Sequence, residues 1–200
     1  RTGGKRAFIL IPGIDVPFHS SVLRDGVAGF RSTLEELLPA RIDHTLLVDR
    51  YVPNLVPRLF SLDRDFVAEI ADLVPSQPLR ELLGEWSTRS QDPDAVARVL
   101  LVELLAWQFA SPVRWIETQD LLFGELGVDT LVEVGVANAP TLANLAEQTL
   151  RLPHLAMARA RVLNVGRNEA EVFARDEVLS SEDSAPSATE VATPDVSPVA

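Results

Sequence analysis

Among the polar residues of this chain, His19 has the strongest claim to chemistry. It lies in Ile14-Asp15-Val16-Pro17-Phe18-His19-Ser20. Imidazole is the side chain whose ordinary titration range suits proton transfer at physiological pH, so a His placed between a strand and a helix is a candidate general base. A base needs a nucleophile to act upon. The neighbouring Ser20 and Ser21 do not qualify, because adjacent side chains rarely reach a productive nucleophile–base geometry and neither lies in a tight Gly-flanked turn. His44, alternating with Ile42 in an expected strand, reads as an outward-facing polar residue, and His154 after Pro153 as a turn residue. Glu117, Asp120 and Glu125 recur at helical spacing and read as a solvated helix face rather than an acid pair.

Metal chemistry finds little support. The chain has no Cys, and its three His residues lack a chelating spacing, so no zinc site is predicted. The formal net charge is −11, and Asp176, Glu177, Glu182, Asp183, Glu190 and Asp195 all follow the last basic residue, Arg175. Such a surface repels phosphate backbones, which argues against nucleic-acid partners. No apolar run of about 18 residues is present, so no bilayer-spanning helix is predicted. With no initiator Met and no signal-like segment, the sequence reads as an interior piece of a soluble, cytoplasmic protein.

The elements that would position His19 follow from periodicity. Ala7 to Ile11 is a short apolar run ended by Pro12-Gly13 and predicts a buried strand. Val22, Val27, Phe30, Leu34 and Leu37 recur at helical spacing up to Pro39. Residues 42–49 read as a strand broken by Pro53-Asn54. Amphipathic helices are expected at about 63–74, 78–87 and 93–109, the last ended by Ser111-Pro112, with another helical segment after Trp115. Thr130 to Gly135 then reads as a strand and about 140–150 as a helix, the repeating unit of α/β sheets. Residues 160–165 and 170–175 predict a hairpin around Gly166-Arg167-Asn168. Beyond about Ser180 the chain is Ser, Pro, Ala, Thr and acidic residues, too poor in large apolar side chains to recover its ordering entropy, and reads as an extended flexible linker.

Asp15 to Ser20 resembles the active-site His motif of the malonyl-CoA:acyl-carrier-protein transacylase family. Gln108-Phe109-Ala110-Ser111-Pro112-Val113-Arg114-Trp115, then Leu131 to Gly135 and Thr141 to Leu145, resemble later blocks of that family in the same order. With Tyr51-Val52-Pro53-Asn54-Leu55 and Leu104 to Asp120, the chain is more closely similar to the malonyl/palmitoyl transferase domain of type I fatty acid synthases of the fungal and actinobacterial kind. It departs at Gly135-Val136-Ala137-Asn138-Ala139-Pro140, a longer turn where the family usually has Gly-Pro.

The resemblance implies an α/β fold: part of an acyltransferase α/β-hydrolase-like subdomain that begins at the last strand of a ferredoxin-like subdomain and ends in a disordered C-terminal tail. Its implied boundaries are 1–14 for the end of the ferredoxin-like subdomain, 15–155 for the transferase part, 156–178 for a following hairpin and 179–200 for a linker toward an acyl carrier domain. The implied reaction is ping-pong transfer of malonyl, and long-chain acyl, groups between CoA and carrier phosphopantetheine. The nucleophilic Ser and the carboxylate-binding Arg would lie upstream of Arg1. His19 would be the catalytic base, while Phe18, Gln108 and Asn54 would line the site. Gln108 stands where backbone carbonyls orient the His, and Phe18 where bulk favours malonyl over methyl-branched substrates. No metal or cofactor is implied for this segment. The implied partners are the rest of a homo-oligomeric synthase and its carrier domain. The competing reading is a structural or tethering segment without chemistry of its own.

Overall fold

The computed structural model describes residues 16–135, 140–155 and 157–174. The expected strand at 7–11, the turn at 136–139 and the acidic tail lie outside these residues. The chain divides into two compact units, with the boundary in sequence between Gly127 and Val128.

The first unit is helical among its described residues. A 3-10 turn, Ser21–Gly26, leads into helix α1, Val27–Leu37. Helices α2 (Arg64–Leu73), α3 (Gln77–Gly84), α4 (Trp86–Arg89) and α5 (Pro93–Gln108) follow, then α6 (Trp115–Gln119) with a wider π-type turn over Asp120–Glu125. Starts are set by local chemistry. Ser76 accepts the Leu79 N–H at 3.2 Å and Asp92 accepts the Ala95 N–H at 3.2 Å, each just before a proline-containing first turn. Carbonyls at and just beyond the end of α1 are met from another helix, where the Arg98 guanidinium donates to Glu35 O (2.8 Å) and Pro39 O (2.9 Å).

Helix α5 is the centre of this unit. Val96, Ala97, Leu100, Leu104, Ala106 and Trp107 are all buried, and α1 and α3 pack against it. Phe66, Val67 and Ile70 on α2, with Leu79 and Leu82 on α3, complete the core together with Phe60. Residues this thoroughly enclosed contribute roughly 1.5–3 kcal/mol each by leaving water.

No strand forms at 42–49, contrary to the alternating pattern there. The segment holds a 3-10 turn, His44–Leu46. Asp43 explains the difference, because its carboxylate accepts both the Thr45 N–H (3.0 Å) and the Thr45 hydroxyl (2.7 Å), a local bond that competes with strand pairing. Asp49, at φ 57, bends the chain again.

In the second unit, strand β1 (Thr130–Glu133) pairs in parallel with β2 (Arg161–Asn164), and helix α7 (Thr141–Thr149) lies between them in sequence. This is a β-α-β arrangement, as strand, glycine and helix suggested. The expected hairpin is replaced by a different turn: residues 169–174 are helical, not a second strand. Asn164 ends β2 by accepting the N–H groups of Gly166 (3.0 Å) and Arg167 (3.2 Å), which turns the chain before an antiparallel partner can form.

Glu133 closes the unit. Its carboxylate accepts the Leu142 and Ala143 N–H groups at 3.0 and 3.1 Å, and the Asn164 amide at 3.1 Å. Desolvation pushes its pKa up, but these bonds outweigh it and the carboxyl is held below its ordinary value. The amino end of α7 is therefore satisfied by the chain's own carboxylate.

Candidate functional site

His19 is anchored by the carboxyl end of α5. A helix leaves its last carbonyls without intrahelical partners. Two consecutive ones are taken by His19: its backbone N–H donates to Phe109 O at 2.7 Å, and Nδ1 lies 2.8 Å from Gln108 O. The backbone at His19 is left-handed, φ 60, a region His tolerates better than most side chains. A carbonyl oxygen only accepts, so Nδ1 carries the hydrogen in this bond, and in the neutral ring Nε2 is then the nitrogen that bears the lone pair. The residue is exposed. Ser20 is committed elsewhere, its hydroxyl donating to Pro17 O at 2.7 Å.

The other residues singled out in the sequence gather here. Gln108 is the last residue of α5, and its side-chain oxygen accepts from Asn54 Nδ2 at 3.3 Å. Asn54 in turn accepts the Arg114 N–H at 3.0 Å through its own carbonyl, tying the 53–54 turn to the chain beyond the helix. Phe18 is 60% exposed and lines an apolar cavity of about 360 Å³ with Gly26, Phe30 and Phe109. The rings of Phe30 and Phe109 meet edge to face, 5.4 Å between centroids. Four residues spread over 90 positions of sequence thus form one neighbourhood around a helix end. An imidazole held through Nδ1, with no bond to Nε2 among the described residues, lies beside an apolar recess and can accept a proton from a group brought to it.

A second cluster was not foreseen. The ligand-capable atoms of Asp43, His44 and Asp94 lie within 4.8 Å of one another. His44 Nδ1 is 2.8 Å from Asp94 Oδ1, and Arg41 makes paired bonds to Asp92, both 2.6 Å, and reaches Asp94 at 3.4 Å. These bonds fasten the 41–46 turn to the start of α5. His44 is thus tied to a carboxylate, where the sequence suggested an outward-facing polar residue of a strand. The residues stand 50 positions apart, and no local signal announces the pairing.

The Arg41 hydrogen bond holds the Asp92 carboxyl below its ordinary pKa, and the His44 hydrogen bond does the same for Asp94. A carboxyl depressed in the folded state stabilises above its unfolded value and loses that contribution as pH falls through the folded one. Protection of the first-turn amides of α5 against hydrogen exchange is therefore expected to stay level from neutrality down to about pH 4 and to fall below it. Asp94→Asn should flatten that fall, and an identical acid profile in the variant would disprove the assignment.

The described residues form a mixed α/β segment, several helices with a small parallel sheet, in which a histidine is presented at a helix end. No helix among them is long and apolar enough to cross a membrane. The chain is 39% identical to fatty acid synthase 2 of Mycosarcoma maydis over 197 residues, 92% of this chain and 5% of that protein. Two Saccharomyces cerevisiae proteins match shorter stretches. The beta subunit of fatty acid synthase is 33% identical over 90 residues, 44% of this chain and 4% of the subunit. The alpha subunit is 54% identical over 56 residues, 28% of this chain and 3% of the subunit. No family model matches the chain. It spans about 5% or less of the length of these relatives. The chain is homologous to the fungal fatty acid synthase alpha and beta subunits, and so belongs with the type I fatty acid synthases.

Proposed function

We propose that this chain supplies the base half of a malonyl/palmitoyl transferase site within a multifunctional fatty acid synthase. The observation that carries the reading is the bond from His19 Nδ1 to Gln108 O, which fixes the tautomer and leaves Nε2 as the acceptor. In this mechanism a Ser elsewhere in the synthase attacks an acyl-CoA thioester while His19 Nε2 takes its proton. The proton then passes to the departing CoA thiolate. The acyl-enzyme is relieved by the phosphopantetheine thiol of a carrier domain, with His19 acting again as base. While it holds the proton, within each half-reaction, the ring is positively charged, and the carboxyl end of α5, the negative end of a helix dipole, carries the sign that suits it.

The continuity of the chain supports the same reading. Stretches of it match both an alpha and a beta subunit of one yeast, while a single Mycosarcoma maydis protein matches 92% of it. That pattern fits a transferase segment divided between subunits in some fungi and unbroken here.

The test is to incubate the intact protein with malonyl-CoA and map the acylated peptide by mass spectrometry. A malonylated Ser supports the reading. Absence of any acyl-enzyme supports the alternative, a tethering segment of the synthase.

Phe18 bears on substrate choice. Its ring borders the recess next to His19, where it would crowd an α-methyl branch. Phe18→Ser is expected to relax discrimination against methylmalonyl-CoA by about tenfold, the scale of one methyl group in a pocket. Measured kcat/KM ratios for the two thioesters that do not move would remove this role.

A further inference from the structure

A cleft of about 400 Å³ opens in the first unit, lined among others by Ser21, Arg24, Leu55, Val74, Ser111 and Arg114. In sequence it adjoins both halves of the site. Ser21 is two residues beyond His19, and Ser111 is three beyond Gln108, whose carbonyl holds the ring.

Its walls are of two kinds. Leu55 and Val74 are buried apolar residues, while two guanidinium groups and two hydroxyl-bearing residues border the same space. Arg114 is paired with Glu117 at 2.8 Å. The Arg24 side chain has no carboxylate partner among the described residues. In a chain of net charge −11, an uncompensated guanidinium at a concave, partly apolar surface is an anion site looking for an anion.

We infer that this cleft binds the phosphate of the thioester substrate, with Arg24 as its principal ligand and the attached pantetheine chain lying along Leu55 and Val74. The inference rests on the acyl-transfer reading above and adds a phosphate subsite to it. The ligand chemistry is a phosphate ester on an amphipathic arm, shared by free CoA and by the carrier's phosphopantetheine.

In the intact protein, Arg24→Gln is compared with wild type on malonyl-CoA, malonyl-phosphopantetheine and malonyl-pantetheine, which has no phosphate. The ratio of KM for malonyl-CoA to KM for malonyl-pantetheine is expected to rise about tenfold, the worth of one charge-assisted contact. A matching rise with malonyl-phosphopantetheine locates the contact at the phosphate shared with the carrier arm. A rise confined to malonyl-CoA locates it at the nucleotide phosphates. An unchanged ratio overturns the inference, as does an equal KM increase for the phosphate-free thioester.

Calorimetric titration of CoA and of pantetheine into both proteins reads the subsite without turnover. CoA affinity that falls about tenfold in Arg24→Gln, with no acyl transfer in wild type, keeps the subsite and removes the transferase reading. Transfer that depends on His19 while CoA affinity ignores Arg24 does the reverse.

Discussion

Replacing His19 with asparagine in the intact protein is expected to slow acyl transfer by about 10³-fold, within the range that a positioned general base contributes. Asparagine is the informative choice because of the backbone. At φ 60 an alanine would be strained, so a slow His19→Ala enzyme could reflect a displaced turn as well as a lost base. Asparagine tolerates the left-handed region, and its amide can donate to a nearby carbonyl such as Gln108 O, but it cannot accept a proton at neutral pH. The measurement is the rate of acyl-enzyme formation from malonyl-CoA, alongside hydrogen exchange over residues 17–24 to verify that the turn is held. Loss of rate with unchanged exchange identifies a base. Wild-type rates in His19→Asn would mean that the Nδ1 bond to Gln108 is only a fastening, and the chain would then be the tethering segment.

How much of this was legible in the sequence can be seen element by element. The helices at α1, α2 and α5 were readable because each has its own apolar period, and α5 also carries a cap and a proline at its start. The β-α-β unit announced itself by an apolar strand ending in glycine. The failures share a cause. At 42–49 the alternation is genuine, but a single Asp43 side chain satisfies the backbone locally, and at 164–168 two asparagines do the same. Such bonds are invisible to hydrophobic periodicity. The candidate site residues were named from their resemblance to family motifs. The geometry joining them could not be read that way, because the left-handed turn at His19 and the Asn54–Gln108 bond depend on packing between elements distant in sequence. The Arg41–Asp92 clasp had neither a motif nor a period to reveal it.

That packing is itself testable through Arg31. Glu103 is 1% exposed on the central helix, where an unpaired carboxylate would be costly. It is paired: Arg31 of α1 makes a two-pronged contact with it, including Nη2 to Oε2 at 2.9 Å, and Trp107 Nε1 donates to Oε2 at 3.2 Å. The Glu103 hydrogen bond raises the Arg31 pKa, so the guanidinium stays charged at any working pH. Arg31→Met is therefore expected to cost about 3–5 kcal/mol, because it strands a buried charge instead of merely deleting a contact. Hydrogen exchange over α1 and α5 reads the loss as an easier local opening. Adding Glu103→Gln should recover a large part of it, since a neutral amide still accepts from Trp107. Arg31→Met without effect would show the pair to be dispensable. The consequence extends to the site. Phe30, beside Arg31, packs edge to face against Phe109, whose carbonyl receives the His19 N–H, and Gln108 follows Trp107 directly. The ion pair thus ties α1 to α5 close to the residues whose carbonyls bond His19. Acyl transfer in Arg31→Met should fall along with stability and return with the Glu103→Gln suppressor.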